Sequence, residues 1–582
     1  PVTMNEYQPL SADQRRQLAA QGCTADDWDR ILVTEDFSPA RIAHCGFGGE
    51  VRIAGEVTLR NVGTLANCDI RRGARIEQTA VVETVGRSSF GCSTPVAVIN
   101  EGGGREVPLY PALTAQTAYL IALFRHRPEV AERLGRMIER EYTVPAASSM
   151  GTIGERASIR ACGILRNVCI GPDAVLEGVS SLANGTVCSH AGQRTYLGAD
   201  VRLRDFIVCG NSIVENGTTG ERCFFGNGTH ASALSVTDSL LFAGSHCENG
   251  ELCSVLAGPY TISHHKSTLL IAGLFSFFNA GSGTNQSNHL LKSGPVHQGI
   301  HQRGCKYGSD AYMMLPALDG AFTTVIGRHK CHPDTSSFPF SLLIEQEGQS
   351  WLMPAANLAA CGPKRDFAKW PARDRRDAHA TDLIRFEAEN PYLAERIARG
   401  LALCEELQAK ATGDVVIHQR LRIRTAMLRR GIRLYRLAYE RQLGAMLAAS
   451  KTPDPLGEGG WTDLCGLYMP VAVVNALLEA IADGSCASLE HVTAALRDAD
   501  ARYPHYAAGW ALARLTEQLG HTPTPGEIET ARAAGLAAAE QLDALAADDL
   551  RAENAPSMAV GYGLDMADEE ARMADFHTVR NL

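Results

Sequence analysis

The chain contains 582 residues, of which 45% are hydrophobic and 21% charged, and its formal net charge is −10 at pH 7. A chain of this length can form about two to four domains with a large buried core. The negative charge argues against nucleic acid as a partner, and because no run of 18 apolar residues occurs, we expect no membrane span. Seventeen cysteines without paired spacing and no recognisable signal peptide predict reduced thiols in a cytoplasmic protein.

The first predicted element is an N-terminal helical segment at residues 5–45. Ser11 and Gln14 have the spacing of a capping box, and an apolar-periodic run follows them. We expect this segment to precede the main domain.

Residues 46–345 carry an aliphatic side chain at about every sixth position, in two blocks with one five-residue step each. The members are Ile53, Leu59, Leu65, Ile70, Ile76 and Val82, then Ile153, Ile159, Leu165, Ile170, Leu176 and Leu182. Such spacing fills the inside corners of a triangular coil, and small residues allow the chain to turn at the next corner. The two-residue alternation of sandwich strands is not sustained. The pattern therefore predicts a β solenoid.

An insert at about 88–150 separates the two blocks. It begins with a glycine-rich loop at 100–106 and continues with two predicted helices, at about 113–125 and 128–141. The loop lacks the Gly-Lys-Ser/Thr ending of a phosphate loop. We predict instead that it closes over the site and contributes Glu101 and Arg105.

The pairs Ile153-Gly154 and Ile170-Gly171 carry the aliphatic-glycine signature of hexapeptide repeats. The chain therefore resembles the hexapeptide-repeat superfamily, whose fold is a left-handed parallel β-helix and an exception to right-handed crossovers. More narrowly, it resembles an uncharacterised bacterial family of large β-helix proteins with a helical C-terminal half. The segments that carry this second resemblance are 100–106, 285–289, 294–299 and 327–336. The resemblance implies the fold and a homo-oligomer, and it supplies no activity.

The region after residue 345 changes character. Residues 346–376 are predicted to form a hairpin and a basic connector, the latter at 369–376. Residues 377–582 are predicted to be an α-helical region with helices at 470–483, 488–518 and 525–552. One apolar stripe there has helical spacing and comprises Leu428, Ile432, Tyr435, Tyr439 and Leu443.

A column of small or polar residues is predicted within the solenoid. Positions 211, 227, 245, 263 and 281 recur at steps of 16, 18, 18 and 18, about one coil each. A constant step of 18 would stack His246 on His264, Cys247 on His265 and Glu248 on Lys266. The column indicates a surface for chemistry or recognition. Alternatively, its members only bond the turn backbones.

Histidine is concentrated here, because nine of the 18 histidines lie between residues 230 and 332. Imidazole suits proton transfer near neutral pH. Hexapeptide-repeat acyltransferases use a coil histidine as base, and that resemblance implies His264 as the base, with His246 as the alternative. Further catalytic candidates are His297, His329 and Asp334, although Asp334 also has the position of a turn cap.

Candidate substrate-binding residues are polar or charged and lie near the histidines or in the predicted loops. They are Asn227, His230, Glu248, His265, Lys266, Asn285, Asn288, His289, Lys292, Gln298, Arg328, His332, Glu101 and Arg105. The cluster at 285–299 suits sugar hydroxyls, carboxylates or phosphates, with Lys292 as a point charge. Alternatively it is a solvated loop.

Candidate ligands for a metal ion are His297, His301, His329 and His332. Imidazoles beside a cysteine thiol suit zinc. The ligand pattern of β-helix carbonic anhydrases is not matched, so the sequence assigns no metal. An acyl-CoA or a divalent metal are the two candidate cofactors.

Three functions follow as hypotheses. The first is a transferase, by acyl transfer, acting on a sugar or sugar nucleotide. The second is a carbohydrate-active lyase, isomerase or hydrolase that uses the His/Lys/Arg/Asp cluster, and the third is a non-catalytic scaffold or small-ligand sensor. The long helical region weighs against the first, because acyl-CoA enzymes of this type usually end the β-helix in a short tail.

Overall fold

The computed structural model describes residues 7–287, 298–376, 382–565 and 568–581. Its main body is a parallel β solenoid, in which the strands of each turn pair in register with those of the next. Thus Ile213–Glu215 pairs with His230–Ser232, which pairs in turn with His246–Glu248. A helical insert interrupts the solenoid and a helical region follows it. The predicted β solenoid and helical C-terminal region are therefore confirmed.

Three parallel ladders form the faces of the solenoid. The first face comprises Ser158–Arg160, Val175–Glu177, Tyr196–Leu197, Ile213–Glu215, His230–Ser232, His246–Glu248, Ile262–Ser263, Asn279–Ala280, Lys306–Tyr307, Thr324–Ile326 and Leu342–Gln346. The second face comprises Glu251–Cys253, Leu269–Ile271, Asn285–Ser287, Tyr312–Met314 and Arg328–His329. The third comprises Gly151–Ile153, Leu256–Ala257, Gly273–Phe275, Gly299–His301 and Ala317–Asp319.

Longer strands bend around a corner and contribute to more than one face. They are Ile42–Ile53, Thr58–Ile70, Arg75–Glu83, Ile164–Ile170, Ser181–Val187, Arg202–Val208, Thr219–Phe225 and Ser235–Leu241. Left-handed backbone inside these strands makes the bends possible, as at Asn167 and Asn184 with φ of 54° and 52°. At the next corner, between strands, successive turns place Asn211, Gly228 and Gly244 with φ of 59°, 67° and 68°. Asparagine and glycine tolerate that conformation best.

The six-residue pattern corresponds to the core of the solenoid. All twelve aliphatic side chains named from the sequence are buried, and none is more than 2% exposed. Each turn therefore buries its aliphatic corners against those of its neighbours, which is how a solenoid builds a continuous core.

The N-terminal segment differs from the prediction. Helix α1 (Ala12–Ala20) begins with the predicted capping box, in which Ser11 and Gln14 bond each other's backbone N–H. Beyond it, however, Ile31–Val33 pairs in parallel with Ile42–Ile53. The prediction of a helical segment up to residue 45 was wrong, because alternating side chains such as Ile31 and Val33 bury one face of a strand.

The insert contains a two-stranded hairpin, Pro95–Ala97 with Glu106–Pro108, and helices α2 (Ala115–Leu123), α3 (Pro128–Ile138) and α4 (Val144–Ala146). The C-terminal region contains α5 (Cys361–Ala372), α6 (Pro391–Lys410), α7 (Thr425–Leu447), α8 (Val471–Asp483), α9 (Leu489–Ala501), α10 (Tyr503–Leu519), α11 (Pro525–Glu553) and α12 (Glu569–Arg580). The predicted helix at 488–518 is thus two helices. No described helix is both long and apolar enough to cross a membrane.

Five further strands lie in and before the C-terminal region: Gln349–Met353, Val415–His418, Leu421–Arg424, Trp461–Asp463 and Tyr468–Pro470. The first of them forms the predicted hairpin with Leu342–Gln346. The segment predicted to be a basic connector is partly helical, because residues 369–372 form the last turn of α5. That helix packs against the solenoid through Trp370, whose ring contacts Phe277 and Phe322.

Candidate functional site

A cleft of about 600 Å³ lies between the first face of the solenoid and helix α5 with the residues that follow it. Successive turns of the first face supply Ile213, His230, His246 and Ile262, which are neighbours in the parallel register. Residues 366–376 supply the opposite wall. The cleft therefore joins two parts of the chain that are more than 100 residues apart.

Three histidines line the solenoid wall in a row. The rings of His230 and His246 are stacked with centroids 4.4 Å apart, and the ring of His264 meets His246 edge-on, also at 4.4 Å. Nε2 of His230 donates to Glu215 at 3.0 Å, and Nε2 of His246 donates to Glu248 at 2.6 Å. Within the described residues, no side chain bonds the ring of His264.

The predicted stacking register is wrong, although the rings do meet. His246 pairs with Ile262 in the ladder and not with His264, and Cys247 pairs with Ser263. The reason is that these coils contain 16 or 17 residues, so a constant step of 18 overshoots the corner. His264 lies just beyond the end of its strand, and its side chain reaches back to His246.

Burial sets the charge of these histidines. It lowers the pKa of His246, an effect that the nearby His230 and Arg373 reinforce and the Glu248 carboxylate opposes. Burial likewise lowers the pKa of His264, together with the neighbouring His246 and Lys369. Both imidazoles are therefore neutral near pH 7 and able to accept a proton.

The opposite wall is strongly cationic. Asp374 neutralises Arg376 of this wall, and Asp366 of this wall pairs with Lys306 of the first face. Lys369, Arg373 and Arg375 also line the cleft, and none of the described carboxylates forms an ion pair with them. Within the described residues, the cleft therefore presents three cations without an ion-pair partner opposite the neutral imidazoles of His246 and His264.

Two polar groups of the solenoid wall have no hydrogen-bond partner among the described residues. Asn227 is 9% exposed and Thr229 is 1% exposed, and both line the cleft. Neither Oδ1 of Asn227 nor Oγ1 of Thr229 has a hydrogen bond within the described part of the chain. Because buried polar groups are normally satisfied, these oxygens indicate a place where a ligand or water belongs.

Comparison with known protein families identifies the family to which the chain belongs. Residues 50–408 match the family described as "Domain of unknown function (DUF4954)". The chain belongs to this family. Both walls of the cleft lie inside the matched segment, while residues 442–582 match a second family, "Domain of unknown function (DUF6819)".

An uncharacterized protein of Treponema pallidum (strain Nichols) is 24% identical to this DUF4954 protein over 456 residues. The match covers 70% of this chain and 62% of the relative. The chain thus spans less than two thirds of the length of that relative.

The structure brings only some of the predicted site residues together. Asn227, His230, His246 and His264 line the cleft, and Glu248 bonds His246. His265 and Lys266 are exposed and do not line it. Asn288, His289, Lys292 and His297 lie outside the described residues.

The predicted residues of the insert lie elsewhere. Arg105 donates to Oε1 of Gln298 at 2.8 Å and to the carbonyl of Ala122. Oε1 of Glu101 accepts from Sγ of Cys253 at 3.5 Å. Cys253 belongs to the second face, so the glycine-rich loop does not close over the cleft as predicted.

The remaining candidates have local structural partners. Arg328 pairs with Asp310 at 3.1 Å, and Asp334 accepts from the backbone and hydroxyl of Ser336, the turn cap foreseen as the alternative. His329 is buried and bonded to Ser350, and Asn285 lies on the second face. Nδ1 of His332 is buried without a partner among the described residues.

Of the four candidate metal ligands, His297 lies outside the described residues, and His301, His329 and His332 form no ligand group within the described part of the chain. His301 is buried in the solenoid interior, where it bonds Asp319 at 2.6 Å and Gln286 at 2.8 Å. Among the described residues, the one group with suitable ligand distances is His230, His246 and Glu248.

The cationic wall was missed as part of the site. Residues 369–376 stood out in the sequence by composition alone, and nothing in their spacing relates them to the solenoid histidines. The aromatic residues Tyr260, Phe277, Phe278 and Trp370 also line the cleft. Phe277 and Phe278 belong to a short aromatic stretch of the sequence, whereas nothing there relates Tyr260 or Trp370 to the histidines.

Proposed function

We propose that this protein is a transferase acting on a phosphorylated sugar or sugar nucleotide, with the cleft as its active site. The observation that carries the proposal is the juxtaposition of Lys369, Arg373 and Arg375, which form no ion pair with a described carboxylate, with a row of histidines. Cations without partners suit phosphate or carboxylate groups. The orphaned oxygens of Asn227 and Thr229 suit hydroxyl groups of the same ligand.

His264 is the general base in this proposal. Carboxylates hold Nε2 of His230 and of His246, whereas the ring of His264 is not bonded by any described side chain. His264 takes the proton of a sugar hydroxyl whose oxygen attacks the carbonyl carbon of an acyl thioester. The new C–O bond forms, the C–S bond breaks, and the proton passes from His264 to the leaving thiolate.

The acyl donor in this scheme comes from the hexapeptide-repeat resemblance and from no feature of the cleft. The same resemblance implies a homo-oligomer, which stays a prediction. A lyase or hydrolase has less support, because Arg328 and Asp334, which it would use, are engaged outside the cleft.

The experiment compares binding of a hexose phosphate, a sugar nucleotide and a neutral hexose by calorimetry. Arg373→Gln should weaken the two phosphorylated ligands by about tenfold or more, since a charged hydrogen bond contributes about 1.5–3 kcal/mol. Arg365→Gln is the matched control, because Arg365 is an exposed residue of α5, the helix that Arg373 directly follows, and does not line the cleft. Equal affinity in both variants would refute the assignment of the cleft.

His264→Gln separates an enzyme from a scaffold. We expect binding to be retained and turnover with an acyl thioester to fall by about 10²–10⁴, the usual contribution of a general base. A protein that binds the ligand and shows no turnover in the wild type would be the sensor of the third hypothesis.

A further inference from the structure

His230 and His246 are arranged with a carboxylate in a way that general-base catalysis by His264 does not use. His230, His246 and Glu248 each offer one ligand atom, and these atoms all lie within 4.8 Å of one another. The three side chains are partly buried, so the group is neither a solvated surface cluster nor sealed in the core.

We propose that His230, His246 and Glu248 form a binding site for a zinc ion at the wall of the cleft. Two imidazoles and one carboxylate are a known ligand set for catalytic zinc, which keeps a fourth position open. Zinc ligands at about 2.0 Å in a tetrahedron are about 3.3 Å apart. Small side-chain rotations from the present spacing are enough to reach that geometry.

The surroundings of the three residues fit a metal site. Glu215 holds the ring of His230 through its contact with Nε2, and a carboxylate commonly orients a zinc-binding imidazole in this way. His230 and His246 lie on adjacent strands in direct register. The rigid ladder therefore fixes the spacing of their two rings.

The orphaned polar groups provide an independent indication of a ligand next to this site. Asn227 and Thr229 immediately precede His230 on the same turn, line the cleft, and lack hydrogen bonds within the described residues. A zinc ion would leave its open position facing this part of the cleft. A hydroxyl or phosphate oxygen bound there would lie within reach of both groups.

The cationic wall should affect the affinity of the site for zinc. Lys369, Arg373 and Arg375 repel a divalent cation when the cleft holds no anion, and a bound phosphate would remove that repulsion. We therefore expect zinc to bind more tightly in the presence of inorganic phosphate. Arg373→Gln should bind zinc more tightly than the wild type in phosphate-free buffer.

The test measures zinc alone, on the full chain, without any substrate. Purified protein is equilibrated with zinc, desalted and analysed for metal content, and the affinity is measured by competition with a chromophoric chelator. We expect one zinc per chain in the wild type. His230→Ala and Glu248→Gln should each weaken binding by about tenfold or more, with thermal melting used to verify folding.

Two histidine variants serve as controls. His264→Ala and His265→Ala should both keep one zinc per chain, because neither residue belongs to the ligand group. Substitution of cobalt for zinc adds a spectroscopic measurement, since a tetrahedral site gives intense visible absorption that His230→Ala should abolish. Unchanged zinc content in His230→Ala, or no zinc in the wild type, overturns the proposal.

The zinc measurement and the ligand measurement can fail separately. Loss of phosphorylated-sugar binding in Arg373→Gln with no zinc in the wild type would leave the proposed function intact and remove the metal. Stoichiometric zinc without sugar binding would do the reverse.

Discussion

Arg303 carries a charge inside the molecule and joins the solenoid to the C-terminal region. Its side chain is fully buried, donates to Oδ2 of Asp463 at 2.8 Å and to the carbonyl of Arg385 at 2.6 Å. Its guanidinium lies 4.2 Å from the ring centre of Phe277 and 4.0 Å from that of Tyr468. Because Phe277 lines the cleft, Arg303 also supports the site through its contact with that ring.

We predict that Arg303→Met lowers the free energy of unfolding by about 3–5 kcal/mol, because it leaves Asp463 buried without its partner. Chemical denaturation measures the change. The double variant Arg303→Met with Asp463→Leu should recover much of the loss. A double variant as unstable as the single one would contradict this explanation.

Asp382 is a single residue that should make the free energy of unfolding depend on pH. Burial raises the pKa of its carboxyl from 3.8 to about 6, against the opposing effects of the Ala115 backbone N–H and the nearby Arg376. The native state therefore holds more protons than the unfolded state between about pH 4 and pH 6. The free energy of unfolding falls as pH rises through this range.

Asp382→Asn should remove that dependence. A pKa difference of about 2, at about 1.4 kcal/mol for each, corresponds to about 3 kcal/mol. The stability of the variant relative to the wild type should thus rise by up to that amount from pH 4 to pH 7. Neighbouring thiols do not titrate in this range, because the hydrogen bond with Cys188 together with burial raises the pKa of Cys209, and burial raises the pKa of Cys465. A pH-independent difference in melting would contradict the assignment.

Helix α5 is the element that turns one face of the solenoid into a cleft. It lies between the first face and α11, to which Lys364 is tied by an ion pair with Asp543 at 3.1 Å. On the other side Trp370 packs edge-on against Phe277 with ring centres 4.7 Å apart. Without this packing Lys369 in its last turn, and Arg373 and Arg375 after it, would face solvent.

We predict that Trp370→Ala loosens α5, because truncating a buried tryptophan typically costs about 3–5 kcal/mol. Hydrogen exchange of residues 361–376 should speed up, and affinity for a phosphorylated ligand should fall even though no charge is removed. Trp351→Ala on the hairpin is the control and should leave exchange in α5 unchanged. Slow exchange of α5 in Trp370→Ala would show that other contacts hold it.

At the scale of the whole molecule, the solenoid was the most predictable feature. Side chains such as Ile53, Leu165 and Leu182 occupy inside corners, and a corner recurs at almost constant spacing. This is local information, because each turn contacts mainly its neighbours. The C-terminal helices were predictable for the same reason, through their 3- and 4-residue apolar spacing.

The cleft was only half predictable. His246 and His264 were named because histidines cluster in the sequence, but the register between them was wrong, since coil lengths vary by one or two residues. The cationic wall could not be predicted, because contact between Lys369 and the solenoid depends on packing over more than 100 residues. The insert loop shows the opposite error. Glu101 and Arg105 were named because their side chains suit ligand binding, but they lie on another face of the solenoid.

Both walls of the cleft belong to the segment that matches one family, residues 50–408. The solenoid and α5 therefore belong to one family unit, and the cleft between them is the proposed functional centre. The most direct test is a crystal structure of the protein soaked with the phosphorylated ligand that binds best. We predict electron density for the ligand between His264 and Arg373, with its phosphate against Lys369, Arg373 or Arg375. Ligand density elsewhere on the molecule, with the cleft holding only water, would contradict the account.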